Sequence, residues 1–272
     1  MSAAKNKADD ITAVFPAVRR GPLRNAAEGR SRHEEIIMKG SFVMKESNIR
    51  FFYEKYKHAI PLLIYGIIYL TWFVYLERKV TKDYRVIHMA LDDRIPFCEL
   101  FVIPYLLWFV YVSAVVVYLF FKDKEDYYRA CVFLFTGMTI FLIISTLFPN
   151  GHHLRPQTMP RNNVFTWLVS MLYSTDTPTN LWPSIHVYNS LAAHFAISKN
   201  KQLANKKWIR VSSFFLCISI ILSTMFIKQH SVFDVGTAFL MAAAMYGTVY
   251  KYDIISVYRE WRARKKATPQ VN

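Results

Sequence analysis

Two long uncharged segments constrain the fold of this chain more than any other feature of its sequence. Leu100–Phe121 and Ala130–Gly151 each run for 22 residues without Asp, Glu, Lys or Arg. A run of about 18 or more apolar residues is long enough to cross the hydrocarbon core of a bilayer. Helices buried in soluble proteins are usually shorter and apolar on one side only. The two segments therefore predict transmembrane helices.

Four further uncharged segments of 16 to 18 residues follow the same pattern: Ala59–Tyr75, Leu181–Ser198, Val211–Ile227 and Val235–Tyr250. Leu181–Ser198 differs from the others because it contains His186 and His194. The apolar stretch Val164–Tyr173 is too short to span a bilayer. We expect an all-α, polytopic six-transmembrane-helix bundle with Val164–Tyr173 as an interfacial helix on the outer face.

The distribution of charge predicts how the bundle is oriented. With the N-terminus inside, six spans place 26 Lys and Arg residues on the cytoplasmic side and 8 in the outer loops. The loop Lys199–Arg210 has five basic residues and no acidic one, whereas Glu77–Glu99 has five of each. An excess of cytoplasmic Lys and Arg is the usual pattern in membrane proteins. The +15 net charge thus favours a membrane surface over nucleic acid.

The sequence divides into three predicted parts. Residues 1–50 form a basic cytoplasmic arm with a helix before the first span, and residues 51–250 form the six-span catalytic membrane domain. Residues 251–272 form a basic cytoplasmic tail. We expect an integral protein of the plasma membrane with both termini in the cytoplasm and an active site at the extracytoplasmic face.

Three polar clusters fall where the predicted spans meet the outer face: Gly151–Pro156, Trp182–His186 and Lys228–Asp234. Ionisable residues at membrane depth are costly, and for that reason they usually mark a functional site. Six spans with short connections bring the three clusters to the same side of the bundle. Their convergence predicts one site.

The third cluster has the pattern of a nucleophile with an orienting carboxylate. His230 and Asp234 are four residues apart and therefore lie on one face of a helix. A carboxylate that accepts a hydrogen bond from one ring nitrogen leaves the other nitrogen unprotonated and able to attack an electrophile. By itself the spacing also fits a polar contact between helices.

The other clusters add the groups that phosphoryl transfer requires. Pro183 at the start of a helix places Ser184 and His186 in the first turn, where free backbone N–H groups favour an anion. His186 can donate a proton to a leaving oxygen. Arg155 is suited to bind phosphate through two nitrogens, and Lys228 adds a second cation. Such cations neutralise the charge on the transferred group.

The conjunction of these motifs is similar to a known family. The chain carries, in order, Arg155-Pro156, Pro183-Ser184-x-His186 and His230-x-x-x-Asp234 at successive helix ends. Over roughly residues 95–250 this set resembles the type-2 phosphatidic acid phosphatase superfamily. The resemblance implies that His230 forms a phosphohistidine and that Asp234 orients it. It further implies that His186 protonates the lipid leaving group, that Arg155 and Ser184 bind phosphate, and that neither metal nor cofactor takes part.

Two positions depart from the family pattern. Phe148 stands where the first motif usually has Lys, and Thr224 stands where the third usually has Arg. Lys228, Arg161 or His153 are the candidates to replace these cations at the phosphate. Reduced motifs also occur in lipid phosphotransferases of the superfamily, including those that make inositol-phosphoryl and choline-phosphoryl sphingolipids. The acceptor, water or an alcohol, therefore stays open.

These expectations lead to three functional hypotheses. The first is a lipid phosphatase that hydrolyses a lipid phosphate or diphosphate, and the second is a phosphotransferase that moves a phosphorylated headgroup to an alcohol. The third is a lipid transporter that uses the basic pocket for binding alone. The adjacent His152 and His153 have no nearby carboxylate, so we do not expect a metal site. The expected partners are the lipid phosphate and the membrane, without nucleic acid.

Overall fold

The computed structural model describes residues 50–51, 53–80 and 82–267. The chain divides into two compact units, residues 1–58 and 59–272. In the first unit, the described residues 50–51 and 53–58 are helical. The predicted cytoplasmic arm, apart from Arg50, lies outside the described residues, as do the last five residues of the predicted tail.

The described part of the second unit contains nine α-helices and two short strands. The helices are α1 (Ile60–Lys79), α2 (Val102–Lys122), α3 (Lys124–Leu147), α4 (Val164–Thr175), α5 (Ile185–Lys199), α6 (Lys201–Ala204), α7 (Lys207–Phe226), α8 (Val232–Tyr246) and α9 (Ile254–Ala267). The strands are β1 (Arg85–Val86) and β2 (Asn150–Gly151). A 3-10 turn, Glu99–Phe101, precedes α2, and a π-helical turn, Gly247–Lys251, follows α8.

Five helical stretches of the described chain are long and apolar enough to cross a bilayer: Tyr53–Lys79, Glu99–Lys122, Lys124–Leu147, Lys207–Phe226 and Val232–Lys251. Each of them contains most or all of one predicted span. The chain is therefore a mostly helical membrane protein. The remaining predicted span, Leu181–Ser198, coincides with α5, which has 15 residues. At 1.5 Å per residue α5 is about 22 Å long, less than the ~30 Å of a hydrocarbon core.

Helix α5 is the centre of the bundle, and α2, α3, α7 and α8 pack around it. Small residues on α5, including Ala192, Ala193 and Ala196, are buried and let neighbouring helices approach closely. Its Tyr188 is fully buried, and the hydroxyl donates a hydrogen bond to the Phe133 carbonyl at 2.8 Å. The four surrounding helices shield the polar residues of α5 from lipid.

Backbone hydrogen bonds connect the loops at one end of the bundle to one another. Strand β1 pairs in parallel with β2, and Gly151 forms an antiparallel bridge with Thr179. The backbone N–H of Ser184, just before α5, donates to the carbonyl of Asp234 in α8 at 3.2 Å. We call this end, where α3 and α7 finish and α5 and α8 begin, the site end.

Polar contacts at the opposite end fix the starts of α3 and α9. Arg129 donates to Asp126 at 2.8 Å, to Glu125 at 2.6 Å and to Asp253 at 2.8 Å. Asn200, which follows α5, donates to Asp126 at 2.9 Å. Helix α5 therefore runs from the site end to the opposite end.

The predicted helix Val164–Tyr173 corresponds to α4. Asn163 caps its start, since the side chain accepts the backbone N–H of Thr166 at 2.9 Å and the Thr166 hydroxyl accepts the Asn163 N–H at 3.0 Å. Helix α4 contacts α2 and the 3-10 turn before it. Its location at a membrane interface stays a prediction.

Gly137 on α3 provides a test of the packing around α5. A Cβ atom at Gly137 would lie 2.0 Å from Cε1 of Tyr188, so Gly137→Ala must displace a buried ring. We expect the variant to lose about 1–3 kcal/mol of unfolding free energy, as overpacked cores do. The measurement is the thermal unfolding midpoint in detergent.

Gly66→Ala is the matched control because no heavy atom lies within 4 Å of a Cβ at Gly66 on α1. We expect this variant to unfold at or above the wild-type temperature, since Ala favours helix over Gly. Equal midpoints for the two variants would contradict the close contact between α3 and α5.

Candidate active site

The turn between α7 and α8 fixes the position of His230. Lys228 has a backbone φ of 53°, an uncommon value for a residue other than Gly, and this reverses the chain after α7. The N–H groups of Gln229 and His230 both donate to the carbonyl of Thr224, at 2.9 and 3.0 Å. Two backbone hydrogen bonds thus hold the segment that carries the predicted nucleophile.

The first turn of α8 places Asp234 beside His230. Ser231 caps the helix, and its backbone N–H donates to Oδ2 of Asp234 at 2.9 Å in a capping box. The same oxygen lies 3.5 Å from Nδ1 of His230, which is an ion-pair distance and longer than a good hydrogen bond. Asp234 is fully buried, so its carboxylate acts on the imidazole through a medium with little water.

His186 meets His230 across the site end. Ser184 caps α5, and Nδ1 of His186 in the first turn lies 3.2 Å from Nε2 of His230. One of these nitrogens donates and the other accepts, so at least one of them is unprotonated. On α2, the rings of Tyr105 and Trp108 lie 4.7 and 4.5 Å from the His186 ring. The structure therefore joins the three predicted catalytic residues in a chain of contacts.

The surroundings keep the His230 imidazole neutral. The side chain is 3% exposed, and burial lowers its pKa to about 3, assisted by the positive charge of Arg155. The backbone of Leu181 acts in the opposite direction. Because this pKa lies far below physiological pH, the ring has an unprotonated nitrogen, which is what a nucleophile requires.

Arg155 lies beside this pair but bonds to protein acceptors. Its Nη1 donates to the carbonyl of Asp176 at 2.7 Å, and its Nη2 donates to the side chain of Gln229. The guanidinium also stacks on the Tyr173 ring at 4.4 Å. Nε is buried and has no hydrogen-bond partner in the described part of the chain. Arg155 thus contributes positive charge next to His230, and a phosphate would have to displace some of its present partners.

Two other predicted phosphate ligands have structural partners. The Ser184 hydroxyl is buried and accepts the N–H of Val187 at 3.4 Å as the cap of α5. Nη1 of Arg161 donates to both carboxylate oxygens of Glu99, at 3.0 and 2.9 Å. Ser184 is two residues from His186, whereas Arg161 pairs with the segment that leads into α2.

Lys228 and His153 line a cleft of about 510 Å³ beside the histidine pair. The cleft is lined by Val86, His88, Asp92, Asp93, Ile95, His153, Leu154 and Lys228. Nζ of Lys228 donates to the carbonyls of Asp92 and Ile95 at 2.8 and 2.6 Å, and His153 is exposed. Lys228 lies two residues from His230, so the cleft opens next to the catalytic turn.

Asp92 is a site residue that sequence reasoning missed. Its buried carboxylate accepts the Ser231 hydroxyl at 2.6 Å and the N–H of Val232 at 2.8 Å. A negative charge at this position also complements the N-terminus of α8. The adjacent acidic residues Asp92 and Asp93 could have indicated a functional position. Nothing in the local sequence, however, indicates a partner about 140 residues away.

Asn150 and His152 were also not assigned to the site. Oδ1 of Asn150 accepts the N–H groups of Leu181 and Trp182, at 2.8 and 2.9 Å, and so holds the segment before α5. Nε2 of His152 donates to the carbonyl of Gln229 at 2.9 Å, next to His230. Both residues follow the end of α3 and connect it to the two catalytic segments.

The two departures from the family motifs have different surroundings. The Arg85 guanidinium lies 5.6 Å from the centre of the Phe148 ring, so a cation from another loop is close to that position. Thr224 is buried, and its hydroxyl donates to the carbonyl of Ile221 at 2.8 Å. The structure thus places the Arg85 cation near Phe148 and gives Thr224 a role in the turn between α7 and α8.

Comparison with known proteins adds no relative: the chain matches no family model, no curated protein and no solved structure. Within residues 50–51, 53–80 and 82–267, no group of three or more His, Cys, Asp or Glu side chains is placed to hold a metal ion.

Asp92→Asn tests the attachment of the loop between α1 and α2 to the turn that carries His230. The variant loses the charge at the start of α8 and one of the two acceptor oxygens, of which Oδ2 accepts the Ser231 hydroxyl and Oδ1 the Val232 N–H. We expect a loss of about 0.5–2 kcal/mol in unfolding free energy, typical of a lost helix cap. The thermal unfolding midpoint in detergent measures this loss.

Asp93→Asn is its control, because Asp93 is largely exposed and bonds to the exposed His88. Its unfolding midpoint should stay close to that of the wild type. If both variants unfold at the same temperature, Asp92 does not hold the turn.

Proposed function

We propose that this chain is an integral membrane enzyme, a lipid phosphatase that hydrolyses a lipid phosphate or diphosphate through a phosphohistidine on His230. The observation that supports the proposal is the contact of the two imidazoles, 3.2 Å apart, with Asp234 behind His230. Nucleophile, orienting carboxylate and acid/base are the set that histidine-mediated phosphoryl transfer needs. The three residues come from two helix starts, 44 to 48 positions apart in sequence.

The first half of the reaction forms the phosphoenzyme. The ring of His186 swings away from His230, which frees Nε2 to attack phosphorus. The new P–N bond forms as the bond from phosphorus to the lipid oxygen breaks. A protonated His186 gives its proton to that oxygen, and the lipid leaves as an alcohol or a shorter phosphate. Asp234 stabilises the positive charge that develops on His230.

The second half returns the enzyme to its starting state. Water attacks phosphorus and breaks the P–N bond, while His186 takes one proton from the water. Inorganic phosphate leaves, His230 is regenerated and His186 is again protonated, so atoms and charge balance. No group beyond the chain, the lipid and water is required in this scheme.

Cations around the histidine pair bind the phosphate. Arg155 is adjacent, and its unpartnered Nε atom together with an exchange of its carbonyl partners gives it contacts for an anion. Lys228 and His153 line the cleft next to the turn that carries His230, where their side chains contact the phosphate. Ser184 and the first N–H groups of α5 contribute hydrogen bonds, as helix N-termini do for phosphates. Arg161 would have to leave its partner Glu99 to bind the phosphate.

We propose six membrane crossings, namely the five long helical stretches and, in addition to them, α5. Helix α5 connects the site end to the opposite end, and four neighbouring helices compensate for its short length. The charge pattern favours cytoplasmic termini and an active site at the extracytoplasmic face of the plasma membrane. His186 is partly exposed beside Trp108, so the substrate reaches it sideways from the lipid between α2 and α5.

A second candidate function is a lipid phosphotransferase, which passes the phosphorylated headgroup to an alcohol. The observation that favours it is the burial of His230, which is 3% exposed. A site closed to water protects a phosphoenzyme from hydrolysis until an alcohol acceptor arrives. The two candidates share the first half-reaction and differ in the molecule that attacks the P–N bond.

His230→Ala tests the nucleophile in both candidates. Without the imidazole no phosphoenzyme forms, so we expect turnover of a lipid phosphate panel to fall by about a thousandfold or more. The assay measures phosphate and lipid products from purified protein that elutes as a folded species. His33→Ala, in the predicted arm, removes an imidazole elsewhere and should keep the wild-type rate. Turnover retained in His230→Ala would reject the proposed role.

The products formed with and without an alcohol lipid separate the two candidates. A phosphatase releases inorganic phosphate in proportion to the substrate consumed, whereas a phosphotransferase forms a new phospholipid or sphingolipid. We expect vanadate to inhibit both reactions, because it mimics the five-coordinate phosphorus of the transition state. Lipid movement that continues at the same rate in vanadate, without any product, would support a transporter instead.

A further inference from the structure

A second recess lies on the side of the bundle, between α5 and α7. This α5–α7 groove has a volume of about 300 Å³ and is lined by His194, Arg210, Val211, Phe214 and Phe215. His194 follows His186 by eight residues on α5, which is about 12 Å along the helix. The groove is thus separate from the histidine pair.

His194 forms the polar floor of the groove, and both of its ring nitrogens have hydrogen-bond partners within the protein. Nδ1 of His194 lies 3.0 Å from the Ser213 hydroxyl, which also lies 2.7 Å from the hydroxyl of Tyr111. The other nitrogen of His194 pairs with Ser198 at 3.4 Å. Because these groups have partners, the floor can lie against a hydrocarbon chain without leaving a polar atom unpaired.

The walls and the rim of the groove differ in character. Val211, Phe214 and Phe215 are exposed and apolar, and they lie within the spanning helix α7. Arg210 is exposed in the first turn of α7, four residues before Phe214 and therefore on the same face. The Arg210 guanidinium therefore forms the rim of the groove, next to the apolar side chains of Val211, Phe214 and Phe215.

The basic character extends beyond Arg210. The segment Lys199–Arg210 holds five basic residues and no acidic one, and its Trp208 is 70% exposed. Exposed Trp residues at helix ends are typical of the layer of lipid headgroups. Basic pockets between transmembrane helices bind anionic lipid headgroups. The rim is therefore complementary in charge to a phosphate at headgroup depth.

We propose that the α5–α7 groove binds an anionic phospholipid, distinct from any substrate at the histidine pair. The guanidinium of Arg210 binds the phosphate through two nitrogens, and one acyl chain lies along Val211, Phe214 and Phe215. The lipid fills the space between the central helix and α7, so its binding stabilises the fold. This site does not depend on the proposed phosphoryl transfer.

The test compares phosphatidylglycerol with phosphatidylcholine as probes of purified full-length protein, by native mass spectrometry of bound lipid and by the thermal unfolding midpoint. We expect wild-type protein to retain phosphatidylglycerol preferentially and to unfold at a higher temperature with it. Arg210→Gln should bind phosphatidylglycerol about fivefold more weakly, the effect of one basic residue at an anionic headgroup.

Arg262→Gln is the matched control, because it removes the same charge from an exposed position on α9. It should keep wild-type lipid binding, and so should the inactive His230→Ala, which separates this site from the proposed reaction. If Arg210→Gln does not fold, Arg210→Lys replaces it and should also bind more weakly, since an ammonium cannot bind a phosphate through a fork of two nitrogens. Equal binding of the two lipids, or equal losses in the Arg210 and Arg262 variants, would overturn the proposal.

Discussion

The need to pair polar groups away from water governs the site end of this bundle. An unpaired amide, hydroxyl or carboxylate in an apolar medium costs several kcal/mol, and fully buried charges cost more. The turn Lys228–Asp234 pairs several of its polar groups with acceptors and donors from distant loops, whereas Nε2 of Gln229, Nδ1 of His230 and Oδ1 of Asp234 are buried without a hydrogen-bond partner in the described part of the chain. Asp92 binds Ser231 and Val232, and His152 binds the carbonyl of Gln229. The contact between the imidazoles depends on these attachments, because both hold the segment that carries His230, while Asn150 holds the segment before α5 that leads to His186.

The same requirement explains why the short helix α5 stands at the centre. A helix with Ser184, His186, Asn189 and His194 would be costly against lipid, but four longer apolar helices cover it. Long apolar helices thus form the outer layer, and the polar helix at the centre carries His186 of the candidate site. The α5–α7 groove is where this cover is incomplete, and the apolar rings of α7 are exposed there.

The helices could be predicted from the sequence for physical reasons, as could the proximity of His186, His230 and Asp234, whereas the connections between distant loops could not. Five spans could be predicted from the length of their uncharged segments, because each helix that crosses a bilayer must by itself be long and apolar enough. The span at Leu181–Ser198 is a 15-residue helix, because neighbours rather than lipid surround it. His230 and Asp234 were paired by helical spacing, a local property, but α8 begins at Val232, so His230 lies in the turn before the helix and not on its face. The partners of Arg155 and Asp92 lie 74 and 139 residues away, and no local pattern specifies such pairs. For this reason Arg155 was predicted as a phosphate ligand without its carbonyl partners.

The most direct test of the proposed phosphoryl transfer is to trap the intermediate. Purified enzyme is mixed with a lipid phosphate, quenched in alkali, which preserves phosphohistidine, and mapped by mass spectrometry of its peptides. The account predicts a phosphoryl group on His230, formed within the first turnover and absent when His186 or His230 is replaced by Ala. A phosphoryl group on another residue, or product formation with His230 unmodified at every time point, would contradict it.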